Sequence, residues 1–176
     1  QKSPLQSILM VPTSVIDNFK YLGSTISSNL SLDVEINAHI GKAATVMAKL
    51  NKRVWQNISL TMNTRLKVYQ ACVTSILLYG SETWTPYARQ EAKLNSFHLC
   101  CLKRILGITW QDRIPNTTVL EKAKCSSIHA LLSQRRLRWL GHICRMGKGR
   151  IPKDLLYGEL ENGTCKTGCP LLRFKD

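Results

Sequence analysis

Carboxylates are the first residues to weigh for chemistry. Asp17, Asp33, Glu35, Glu82, Glu91, Asp112 and Glu121 stand far apart in the sequence. Two-metal phosphoryl chemistry needs carboxylates gathered closely enough to hold two cations about 4 Å apart. No Asp-Asp pair lies in an apolar strand context here. Asp33 and Glu35 open a helical pattern, where acids complement the positive end of the helix dipole. His39, His98, His129 and His142 stand singly, without an i,i+4 metal pair. Neither a Gly-x-Ser-x-Gly elbow, a phosphate-binding loop nor a dinucleotide fingerprint is present. On these residues alone the chain is not expected to catalyse a reaction.

One metal constellation can be written down: His142, Cys144, Cys165 and Cys169. Its spacing is looser than the Cys-x2-Cys pairs of structural zinc sites, which weighs against it. Cys100 and Cys101 are adjacent and cannot share one side of a helix. The seven cysteines are odd in number and lack a disulfide-like spacing. Without a secretory pattern they read as reduced thiols of an intracellular protein, nuclear or cytoplasmic. No apolar run is long enough to span a bilayer, so a membrane is not an expected partner. Gln1 is an unnatural start, which suggests a fragment.

Charge gives the positive signal. Twenty-five Lys and Arg against eleven Asp and Glu leave +14 on 176 residues, 44% of them hydrophobic. A core can form, and the surplus calls for a polyanion, nucleic acid first. Between Ser133 and Lys153 lie seven basic residues and no acid: Arg135, Arg136, Arg138, Arg145, Lys148, Arg150 and Lys153. At 100° per residue, Arg135, Arg138, His142 and Arg145 form one polar stripe. Ile128, Leu132, Trp139, Ile143 and Met146 form the buried stripe beside it, with Arg136 on its edge. A charge run of this kind is often only a solvated face; the lack of acids favours a phosphate-tracking one.

The elements that would carry these residues follow from periodicity. Residues 5–11 and 19–26 alternate like strands and predict a hairpin, marginal by itself. From Ser31, a plausible N-cap, a helical stripe of Ile36, Ile40, Ala43, Met47, Leu50 and Val54 runs to about Trp55. After Thr61 a second helix sets Leu66, Tyr69, Val73, Ile76, Leu77 and Gly80 on one face and stops before Pro86. A third starts near Ala88, faces Leu94, Phe97, Cys101 and Ile105 inward, and closes at Gly107. Asn116 would cap a short helix, and Ser126 or Ser127 the long basic one. The expected fold is mainly α: an N-terminal β-hairpin (1–30), a three-helix bundle (31–112), a basic helical extension (113–153) and a loop-rich tail (154–176).

The stretches "FKYLGSTIS", "KVYQACVTSILLYGSETWT", "LNSFHLCCLKRILGITWQDRIPN" and "LLSQRRLRWLGHICRM" resemble the C-terminal part of the reverse transcriptase of non-LTR (LINE-type) retrotransposons, over roughly 18–176. The resemblance implies that Lys20, Tyr21, Leu22 and Gly23 form the primer-grip hairpin at the end of a palm. It implies a thumb in 31–107 cradling an RNA–DNA or DNA duplex, and a basic post-thumb region. With Lys103, Arg104, Arg135, Arg136, Arg138, Arg145 and Arg150, these make the expected nucleic-acid-binding set. The paired catalytic Asp residues and the Mg2+ they hold would belong to the palm upstream, as would the fingers; this chain would need no cofactor. The family is also expected to carry Arg where this chain has His39, Cys100, Cys144, Cys165 and Cys169, the mark of a decayed copy. A binding module, an inert remnant and a zinc-dependent DNA-binding domain stay open as functions.

Overall fold

The structure, a computed structural model, describes residues 18–21, 23–27 and 31–157. The strand expected at 5–11, Leu22 and the tail beyond Tyr157 lie outside the described residues. The stretch 19–26 is not one strand but a hairpin. Strand β1 (Asn18–Tyr21) pairs antiparallel with β2 (Ser24–Ser27), Tyr21 facing Ser24. A two-residue connection must enter left-handed backbone, and Gly23, at φ +90°, does so without a Cβ penalty.

Helix α1 (Asp33–Lys49) buries Ile36, Ala43 and Met47, the expected stripe, with Ile40 and Leu50 partly covered. Leu32 rather than Ser31 holds its N-cap position, although Ser31 Oγ accepts from the Asp33 amide at 3.3 Å. The rod then widens into a π-helical turn, Asn51–Trp55, pinned where the Trp55 indole N–H donates to the Met47 carbonyl at 2.8 Å.

Helix α2 (Met62–Val68) passes through a second π turn, Tyr69–Thr74, into α3 (Ser75–Leu77), and Gly80 at φ +72° ends the rod. Thr61 caps α2, accepting from the Thr64 amide at 3.2 Å. Thr61→Ala is therefore expected to lower stability by about 1 kcal/mol; an unmoved urea midpoint would refute that cap. Helix α4 (Ala88–Leu106) stops at Gly107, φ +68°. Pro115, not Asn116, holds the N-cap position of α5 (Asn116–Ala123). Ser127 caps α6 (Ile128–Arg145), accepting from the Ala130 amide at 3.3 Å. Helix α7 (Ile151–Tyr157) follows and runs across the boundary expected after Lys153.

The fold is mainly α with one small hairpin. Its core is continuous across the boundary expected after Asp112. Val119, Ala123, Ile128 and Leu132 join the cluster built by Leu66, Tyr69, Leu77, Leu94 and Leu102. Helix α5 and the first half of α6 are thus part of the bundle; only the second half of α6, with α7, extends from it. Helices α1 and α4 lie side by side and parallel. Arg89 reaches Asp33 at 2.9 Å, Lys93 reaches Asn37, and Arg104 reaches Asn51 at 3.1 Å.

Candidate nucleic-acid interface

The hairpin is seated on the bundle by polar contacts. The Thr25 amide donates to Glu35 Oε2 at 2.7 Å, and Lys42 Nζ to the Gly23 carbonyl at 3.4 Å. Gly23 lies against the Tyr79 ring, and Ser24 Oγ stands 3.2 Å from where a Cβ on Gly80 would be. Lys20 and Tyr21 are left exposed, with the Tyr21 and Phe19 rings stacked at 6.4 Å. Tyr21, Ser24, Tyr79, Glu82 and Arg135 frame a cleft of about 750 Å3. The fold thereby joins two groups chosen separately from the sequence, the hairpin and the start of the basic helix stripe.

Beneath the hairpin is an arrangement that the sequence reading did not find. Glu35 and His39 are 2% and 1% exposed, with Oε1 and Nε2 3.0 Å apart. His39 Nδ1 meets the Ile76 carbonyl at 2.7 Å. A carbonyl only accepts, so Nδ1 carries a hydrogen; the Nε2–Oε1 contact needs one more, shared between ring and carboxyl. Tyr79 stacks on the imidazole and Trp84 meets it edge-on. Glu35 is therefore an interior link between hairpin, α1 and α3, beyond any interaction with the helix dipole. Asp33, by contrast, is surface-lying. Its carboxyl is held below the usual range first by the Gln90 side chain, then by Ser31 and by nearby Arg89 and Lys93.

On α6, Arg135 and Arg136 bracket the apolar stripe. Arg135 donates to the Leu78 carbonyl at 2.9 Å and to Glu82 at 3.3 Å; Arg136 reaches Glu91 at 3.5 Å. Long aliphatic stems lie along apolar surface while their heads reach sideways, so both arginines help clamp α6 to the bundle. Arg138, Arg145, Lys148 and Arg150 are exposed and have no protein partner among the described residues. The Arg145 guanidinium folds back over Gly141, 3.1 Å from where a Cβ would stand. Lys153 donates to the Cys144 and Met146 carbonyls, satisfying the C-terminal end of α6.

Lys103 and Arg104 sit at the far end of α4, where Ser96, Leu99, Cys100, Ile108 and Asn116 complete a cleft of about 490 Å3. A second basic track, not recognised from the sequence, connects them to the hairpin. Lys42, Lys49, Lys52 and Arg53 are exposed along the outer side of α1 and its π turn. Lys42 touches the hairpin, while Asn51, beside Lys52, holds Arg104. The available signal was the absence of any acid between Glu35 and Glu82.

The interior titratable groups are unsuited to surface chemistry. Burial pushes the Cys101 thiol up to about 12 and the Tyr69 hydroxyl well above its usual range. Burial also pushes His98 down to about 4, against a smaller opposing pull from the Ser126 backbone. Among the described residues no three His, Cys, Asp or Glu side chains converge as metal ligands. Cys165 and Cys169 lie outside them. Nor is any described helix long and apolar enough to cross a membrane.

A protein of Caenorhabditis elegans, named as an uncharacterized transposon-derived protein, is 26% identical over 139 residues, 77% of this chain and 49% of the relative. The chain is similar to a transposon-derived protein. It spans about half the length of that relative. No family model matches the chain, and no solved structure matches it.

Proposed function

We propose that this chain is the nucleic-acid-holding part of a LINE-type reverse transcriptase: a primer-grip hairpin, a helical thumb and a basic extension that together hold a template–primer duplex. The observation that carries this reading is the set of exposed, unpartnered cations on two helices. Lys49, Lys52 and Arg53 lead away from the hairpin along α1, and Arg138, Arg145 and Arg150 lie along and beyond α6. The transposon-derived relative and the resemblance of the hairpin and helix motifs support it. Phosphate contacts from such cations position a duplex without reading its sequence. On this reading the chain holds the duplex and takes no bond-making step. Polymerisation would fall to a palm, with its Mg2+, elsewhere in a longer protein.

Salt dependence tests the reading. Replacing Arg138, Arg145 and Arg150 together by Ala is expected to weaken binding to RNA–DNA and DNA duplexes alike. It should lower the slope of log K against log salt by roughly 2–3. None of these side chains makes a hydrogen bond or ion pair to another described residue, so thermal stability should stay put. An unchanged slope overturns the α6 part of the interface. Absence of duplex binding by the wild-type chain at low salt would instead favour an inert remnant.

A further inference from the structure

Between α4 and α5 the chain makes a 3-10 turn, Trp110–Asp112, that exposes its largest side chain. The Trp110 indole is 86% exposed, whereas Trp55 and Trp84 are buried and Trp139 is half-buried. The turn is nevertheless well fixed. The Thr109 amide and hydroxyl both donate to Asp112 Oδ2, at 2.7 and 2.9 Å. The Arg113 amide closes onto the Trp110 carbonyl at 3.4 Å. Ile108 and Ile114, at its two ends, pack against the core.

Arg113 is also left-handed, at φ +46°, a backbone state that non-glycine residues adopt only at a cost. An observed outlier of this kind is a reason to ask what the turn holds in place. What it holds is a flat aromatic face beside cations. Arg113 is exposed in the turn itself, exposed Lys122 acts on Asp112, and neighbouring Ile108 forms one wall of the cleft that carries Lys103 and Arg104. The nearby acids do not cancel this charge. Asp112 is occupied by its own turn, held below the usual carboxyl range by the Thr109 amide and hydroxyl with Lys122 contributing, and Glu121 stands against four cations, Lys103, Arg104, Arg113 and Lys122.

We infer that the Trp110–Arg113 turn is a site for an unpaired nucleic-acid strand: a base stacks on Trp110 while Arg113 and the Lys103–Arg104 cleft take the flanking phosphates. Any base offers a ring face to an indole, so the site would tolerate any sequence. A duplex keeps its bases stacked on one another and offers this turn only phosphates, so the indole discriminates single strand from duplex. The site deepens the nucleic-acid reading and rests on it. It assigns the protein a grip on the unpaired strand adjoining a duplex.

The test uses the full chain and two fluorescent probes, an oligo-dT of about a dozen nucleotides and a blunt DNA duplex. Trp110→Ala should weaken single-strand binding about tenfold and leave duplex affinity within about twofold. Trp110→Phe should keep most of the single-strand affinity, because the stacking face remains. So exposed a side chain can be removed without unfolding the chain, and matching urea midpoints would confirm that. Single-strand affinity unchanged in Trp110→Ala, or an equal loss on both probes, overturns the site. If the wild type fails to bind the duplex at all, it is the broader reading that falls.

Discussion

His39→Ala is expected to lower stability by about 3–5 kcal/mol and to loosen the hairpin from the bundle. Removing one member of a buried hydrogen-bonded pair leaves the other desolvated without compensation, which typically costs this much. Here Glu35 would keep only the Thr25 amide, and the Ile76 carbonyl would lose its shorter partner and keep only the Tyr79 amide at 3.4 Å. Glu35→Gln should behave quite differently. The amide oxygen can accept from Thr25, and the amide NH2 can donate to Nε2 of a neutral His39 whose Nδ1–H still faces Ile76. All three hydrogen bonds survive without a shared proton, so this variant should stay within about 1 kcal/mol of the wild type, a typical hydrogen-bond contribution. Urea unfolding gives both numbers, and hydrogen exchange at the Thr25 amide reports the hairpin. A His39→Ala protein as stable as Glu35→Gln would refute the network.

In donor count alone, position 39 would also be served by Arg, the residue that the family resemblance leads one to expect there. A guanidinium presents several donors, enough for both the Ile76 carbonyl and the Glu35 carboxylate. An imidazole with both nitrogens engaged reproduces the pair of contacts with a shorter side chain. Such a replacement would preserve the seat of the hairpin, and with it the cleft where Tyr21, Tyr79 and Arg135 meet.

Helical periodicity made most of the bundle legible. Ile36, Ala43, Met47, Leu66, Tyr69, Leu94, Cys101 and Leu132 were all expected inside and are buried. The caps at Thr61 and Ser127 and the stop at Gly107 were legible because each has a local mechanism in its residue type. The π turns at Asn51–Trp55 and Tyr69–Thr74 were not, since an inserted backbone residue leaves the apolar spacing almost unchanged. Glu35 and His39 were missed for another reason. They occupy the buried face at an i,i+4 spacing, but periodicity read from apolar residues alone passes over charged groups that compensate one another. Arg135 and Arg136 looked like free cations because their partners, Leu78, Glu82 and Glu91, are brought near only by the tertiary fold. Periodicity did not show the hairpin turn, because the alternation of that stretch fits one strand as well as two; only the family resemblance put a hairpin at residues 20–23.

Acid should loosen the protein between pH 6.5 and 4, and His98 is the residue expected to dominate that loss. Its ring is 1% exposed; Nδ1 contacts the Tyr69 hydroxyl at 2.8 Å, while Nε2 is buried and makes no well-formed hydrogen bond among the described residues, the Ser126 backbone giving a weaker pull. Burial holds its folded-state pKa near 4, against about 6.5 in the unfolded chain. Above pH 6.5 the ring is neutral in both states and the full stability is present. As pH falls toward 4 the unfolded chain takes up the proton and the folded one does not, so the balance shifts toward unfolding. The gap is worth on the order of 3 kcal/mol, complete once the pH is below the folded value. Asp33 and Asp112, held below their ordinary range, release their contacts only at still lower pH. His98→Gln keeps an acceptor for the Tyr69 hydroxyl but cannot titrate. Its urea midpoint should therefore fall less between pH 7 and pH 4 than that of the wild type, and parallel losses in the two proteins would remove His98 as the cause.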